Sequence, residues 1–121
     1  MSKQEQLDSI IKELRSNVPD ISGVMIATDD GLSIATDFAE EDAVRVAAVS
    51  AAASGLGGRI SQNATLGEPE EVMVKGDDGL LLIYLAGDNS VLAVRAPARG
   101  NLGLVRLEAS SAAKDVCKVM K

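Results

Sequence analysis

The sequence predicts an α+β sandwich: one five-stranded, mainly antiparallel sheet with helices on both faces. Two observations carry that reading. Apolar spacing switches between helical and strand periods in the order helix, two strands, helix, three strands, helix. All eight elements must also share 121 residues, a length that suits a single domain spanning 1–121.

The first helix is read over "SKQEQLDSIIKELRSNVP". Ser2 and Glu5 stand at capping-box spacing, Leu7, Ile10, Ile11, Leu14 and Val18 recur on one face, and Pro19 stops the run. "SGVMIATDDGLSIAT" reads as a hairpin. Val24 and Ile26 fall in one strand phase, as do Leu32 and Ile34 on the return, and Gly31 is free to take positive φ in the turn between them. A long helix follows from the acidic "EED" to Gly67 and Pro69. Three short strands come next, Glu71 to Lys75, Leu80 to Ala86 and Ser90 to Ala96. The middle one is continuously apolar, as expected of a strand covered on both faces. The last helix carries Val105, Ala109, Ala112, Val116 and Val119 on one stripe, with Lys118 and Lys121 at its end.

Composition narrows the function. Net charge is −6, with 46% hydrophobic and 25% charged residues but only 2% aromatic, and basic residues never cluster. Nucleic acid is therefore excluded as a partner, since phosphate backbones need clustered cations and single strands need stacking aromatics. There is no histidine, which removes the commonest general base and metal ligand. The acid pairs Asp29–Asp30 and Asp77–Asp78 and the run Glu40–Asp42 sit at turns or a helix start, where local hydrogen bonding favours them. No catalytic residue, metal or cofactor is expected. Cys117 stands alone among valines and is expected to be a buried thiol. The polar N-terminus and the lack of any apolar run near ~18 residues predict a cytoplasmic protein with no membrane span.

The stretch "VAAVSAAASGLGGRIS" looks at first like a phosphate loop, but Ile60 occupies the last glycine position of GxGxxG, and no GK[ST] follows. The glycines also lie late in a helical segment, whereas a dinucleotide loop follows a strand and opens a helix. Placed on a helix, Val46, Val49, Ala53, Leu56 and Ile60 share a bulky face fit to cover the sheet. Val44, Ala48, Ala51, Gly55, Gly58 and Gln62 share the opposite, nearly bare face, and Arg45, Ala52, Arg59 and Asn63 form a seam between. Gly57 falls on neither stripe. A solvated face is normally charged, and each glycine costs the helix about 1 kcal/mol relative to alanine, so the bare face predicts close docking of a second subunit. The short strand with Val72, Met73 and Val74 lies at the end of the three-strand run and needs a partner. Pairing it with its twin across a two-fold axis would also bring the long helices together.

In this order, "ISGVMIATDDGLSIAT", "VAAVSAAASGLGGRIS" and "GDDGLLLIYLAGDNSVLAV" make the chain resemble the roadblock/dynein light chain family, in particular its prokaryotic stand-alone members of the gliding-motility type. The resemblance implies a roadblock/profilin-like αββαβββα fold, with the long helix on one sheet face and the terminal helices on the other. It implies dimers through the long helix and the third strand, as homodimers or with a related roadblock chain. It also implies a non-enzymatic regulator of a Ras-like small GTPase, with the paired long helices as docking platform. On that platform Arg45, Arg59 and Asn63 are the expected polar contacts. Two other classes stay open: a purely structural dimer with no effect on GTP hydrolysis, and a small-molecule sensor, which the aliphatic core without His or Trp disfavours.

Overall fold

The computed structural model describes residues 1–121 and contains three helices and five strands: α1 (Lys3–Asn17), β1 (Gly23–Thr28), β2 (Ser33–Thr36), α2 (Glu40–Asn63), β3 (Glu71–Lys75), β4 (Leu80–Leu85), β5 (Ser90–Ala96) and α3 (Leu102–Met120). The strands form one sheet in the order β2-β1-β5-β4-β3, every neighbouring pair antiparallel. β2 and β3 are its edges.

Local chemistry sets most boundaries as the sequence predicts. Ser2 and Glu5 close a reciprocal capping box on α1, each side chain accepting from the other's backbone N–H. Gly31 takes φ +95° in the β1–β2 turn, a conformation that side chains resist. α2 ends at Asn63, earlier than the Gly67–Pro69 stop, and Thr65 and Gly67 turn the chain away with positive φ.

Two cores lie on opposite faces of the sheet. Twenty buried residues fill the side of α1 and α3, but only seven fill the side of α2, so α2 rides on a thin layer close to the strands. That layer is built from bulky sheet residues, with Met25, Ile83 and Val91 joined by Phe38. Opposite them α2 presents small ones. Ala47, Ser50 and Ser61 are buried on the helix, and Ala43, Ser54 and Gly57 on the same stripe are half-buried.

This corrects the sequence reading of α2. Of the five residues expected to cover the sheet, only Val46 and Ala53 pack against the thin core. Val49, Leu56 and Ile60 are 57%, 58% and 52% exposed. Space is the reason: large side chains rise from the strands, so a helix lying close to them must supply small ones. The same fact explains Gly57. A Cβ there would stand 2.5 Å from Val72 Cγ2, so the helix crosses β3 at a point where only hydrogen fits. A similar restriction holds at Gly23, where a Cβ would lie 2.7 Å from the Phe38 ring.

Ser50 Oγ is fully buried beneath α2 and has no hydrogen-bond partner. An unsatisfied buried hydroxyl costs about 1–3 kcal/mol, and alanine is also the better helix former. Ser50→Ala is therefore expected to stabilise the fold by about 1 kcal/mol or more, read as a higher urea midpoint with an unchanged slope.

Candidate interaction surface

The surface least explained by folding is the outer side of α2 together with the free edge of β3. Between Ala43 and Asn63 the helix carries two arginines and no acid, although the whole chain has net charge −6. Arg45 bonds Asp42 at 2.6 Å across one turn, whereas Arg59 makes no ion pair. Asn63 donates its side-chain amide back to the Arg59 carbonyl at 2.8 Å.

The two flanks of α2 lean on different parts of the sheet. Gly57, on the flank that also bears Ala53 and Ile60, meets Val72 of β3. Ala48 and Ala51, on the other flank, meet Gly31 of the β1–β2 turn. The bulky ridge of Val49, Leu56 and Ile60 therefore lies on the β3 side of the helix. The bare stripe of Val44, Ala48, Gly55 and Gln62 lies on the β1–β2 side, with half-buried Ala51 and Gly58 along its lower margin. A Cβ at Gly55 or Gly58 would meet nothing within 4 Å. Arg45, Ala52, Arg59 and Asn63 occupy the crest between the two flanks, all exposed.

β3 continues the ridge at the level of the sheet. Val72 and Val74 face the α2 side, since they pair with Ile83 and Leu81 of the thin core, and Val74 is 58% exposed. Met73 pairs with Leu82 and faces α3, so the three residues expected to act together divide between the two faces. Strand phase follows from the hairpin. Gly76 N–H donates to Gly79 C=O at 2.8 Å, and hydrogen-bonded pairs alternate from there, so Val74 and Val72 exchange bonds with β4. The N–H and C=O groups of Glu71, Met73 and Lys75 point to the open edge. β2, the other edge, has no such apolar exposure, because Ala35 is buried and Ile34 packs on the larger core.

On the α3 side Glu71 is held firmly. Its Oε1 accepts from the Tyr84 hydroxyl at 3.1 Å and its Oε2 from Arg106 at 2.7 and 3.1 Å. Burial, and then the Glu71 carboxylate, push the Tyr84 hydroxyl above its ordinary pKa, so it remains a donor. Beside this cluster an open groove of about 730 Å³ runs between α3 and β4, lined among others by Leu85, Leu107, Ser110, Lys114 and Cys117. Cys117 is thus half-buried at a groove, where its neighbours in the sequence predict a buried thiol.

On α2 bulk does not mark the inward face: Val49, Leu56 and Ile60 are exposed, whereas Ala47, Ser50 and Ser61 are buried. The correcting signal was present in the sequence: Ala47, Ser50, Ser54, Gly57 and Ser61 recur at strict helical spacing. No helix is long and apolar enough to cross a membrane.

Comparison with known proteins agrees with the architecture. An uncharacterized protein of Methanocaldococcus jannaschii is 33% identical over 111 residues, covering 91% of this chain and 96% of its own length. Among solved structures, a Roadblock/LC7 domain from Streptomyces avermitilis superposes with a TM-score of 0.87 at 23% identity, covering 93% of this chain and 96% of that one. Myxococcus xanthus MglB gives 0.86 at 20%, covering 97% and 89%. The model of the Roadblock/LC7 domain matches residues 7–96, from α1 through β5. The chain belongs to the Roadblock/LC7 domain family, a family of protein-interaction modules.

Proposed function

We propose that the protein is a homodimeric, non-enzymatic module that binds and regulates a Ras-like small GTPase. The observation that carries this reading is the outer face of α2 beyond its acidic first turn, which from Ala43 to Asn63 is largely apolar and carries no acid on an acidic protein. The two flanks divide the work. The ridge of Val49, Leu56 and Ile60 lies beside β3 and meets its twin when the strands pair. The crest and bare stripe, with Arg45, Arg59, Asn63, Gly55 and Gly58, then face outward on both copies as one platform. The stripe first assigned to the dimer thereby becomes the partner's seat, while β3 keeps its pairing role. Support for self-association comes from the fold neighbours, which include an MglB structure described in a tetrameric arrangement.

The test uses purified small GTPases from the source genome, loaded with GTP or GDP. One of them is expected to bind in a nucleotide-dependent way, and Arg59→Glu should abolish that binding without changing dimer mass. Absence of nucleotide-dependent binding to all of them would sink the regulator reading. Hydrolysis measured with and without the protein then separates a regulator, which changes the rate, from a scaffold, which leaves it unchanged.

A further inference from the structure

We propose that the groove between α3 and the outer part of the sheet seats an amphipathic helix of a partner protein, acidic on its flank toward α3 and basic on its flank toward the β3 side. This seat lies on the sheet face away from α2 and does not rest on the GTPase reading. Three observations carry it. First, the helical layer on this face leaves one strand uncovered. α2 packs against all five strands on its own side, whereas here α1 packs on β1 and β2, α3 packs on β4 and β5, and neither lies over β3. Second, the uncovered strip is a groove of about 730 Å³. Gly103, Arg106, Ser110, Lys114 and Cys117 recur on the α3 flank that borders it. That span of helix is about 21 Å long at 1.5 Å per residue, enough for about four turns of a second helix beside it. Third, the two banks differ in charge. Arg106 reaches across to Glu71 at 2.7 Å, and the two neutralise each other. Lys114 on the helix bank and Glu70 on the strand bank are left exposed and without an ion pair.

Backbone chemistry selects a helix over an extended segment. The floor of the groove is the face of a sheet, so it offers no backbone donors or acceptors. An extended chain would leave its own N–H and C=O groups unpaired there, whereas a helix arrives with them satisfied. The occupant's apolar stripe has surfaces to meet. Leu107, 67% exposed, and the Tyr84 ring line the groove. Met73 continues the apolar floor along β3, its Sδ 3.9 Å from Arg106. The charges on the two banks then set the flanks, an acid toward Lys114 and a base toward Glu70.

The probes are dye-labelled peptides of about 18 residues with one leucine stripe at helical spacing. Their flanks carry Glu on one side and Lys on the other, Glu on both, or Lys on both. Fluorescence anisotropy is expected to place the mixed peptide first on the wild-type protein, roughly five-fold tighter than either of the others, the effect of exposed ion pairs gained and like charges avoided. Lys114→Glu makes both banks acidic and should move the preference to the Lys peptide. Glu70→Lys makes both banks basic and should move it to the Glu peptide. Leu107→Ser should weaken binding of all three. The native thiol reports the place: Cys117 lines the groove, so its alkylation by iodoacetamide should slow several-fold under saturating mixed peptide. Arg59→Glu, on the far side of the molecule, should bind the mixed peptide as the wild type does, which separates this seat from the α2 platform. Circular dichroism checks that each variant is folded. A ranking with the Lys peptide first on wild type, Lys114→Glu and Glu70→Lys alike would report net charge only and overturn the proposal. So would binding that leaves Cys117 alkylation unchanged, loss of binding in Arg59→Glu, or no binding of any peptide to the wild type.

Discussion

Met73→Pro is expected to turn the protein into a folded monomer. The Met73 N–H points to the open edge of the sheet, so proline removes no bond of the β3–β4 ladder. Proline is tolerated on edge strands when its missing donor faces solvent, and Val72 before it is already extended, as that position requires. In the proposed dimer, with β3 paired to its own copy, the same substitution sits at the strand contact. Two hydrogen bonds of about 1 kcal/mol each are lost, and two pyrrolidine rings collide where the strands should meet. A dissociation constant at least ~100-fold higher follows, since each 1.4 kcal/mol is tenfold. Val72→Pro and Val74→Pro are the controls. Their N–H groups serve β4, so they should lower the melting temperature of the subunit itself. Sedimentation velocity across a concentration series, with circular dichroism on the same samples, reads both effects. If Met73→Pro sediments as the wild-type dimer, the free edge of β3 is not the dimer contact.

The fold was legible in the sequence because every element announces its own ends. The Ser2–Glu5 box, Gly31 in its turn and the apolar run of β4 are local signals, and local geometry obeys them. The orientation of α2 was not legible by the same means. Which stripe of a helix faces a sheet depends on what the sheet sends up to meet it. Phe38, Ile83 and Val91 come from three separate parts of the chain and declare their shared volume only when folded. The edge status of β3 could be read from chain order, since it opens the meander. Its outward backbone phase could not, because that phase depends on the bond between Gly76 and Gly79.

Gly57→Ala is expected to destabilise the wild-type protein yet stabilise a Val72→Ala variant. The added methyl would stand 2.5 Å from Val72 Cγ2, and valine has little rotamer freedom with which to withdraw. Overpacking of this kind costs about 1–3 kcal/mol, more than the roughly 1 kcal/mol that alanine adds to the helix. The displaced element is β3, so affinity in the proposed dimer should fall together with stability. Removing the two Val72 methyls leaves only the helix gain, and the sign of the effect reverses. Urea unfolding of the four proteins gives a coupling energy of at least about 1 kcal/mol if the contact is real. Stabilisation in both backgrounds would mean that α2 does not lie this close to β3. Gly55→Ala and Gly58→Ala supply the contrast, since nothing stands within 4 Å of either position. Each should stabilise the subunit by up to about 1 kcal/mol, because its interior gives no reason for glycine there. If those two variants gain stability and lose GTPase binding, the missing side chains of the bare stripe serve the partner and not the fold.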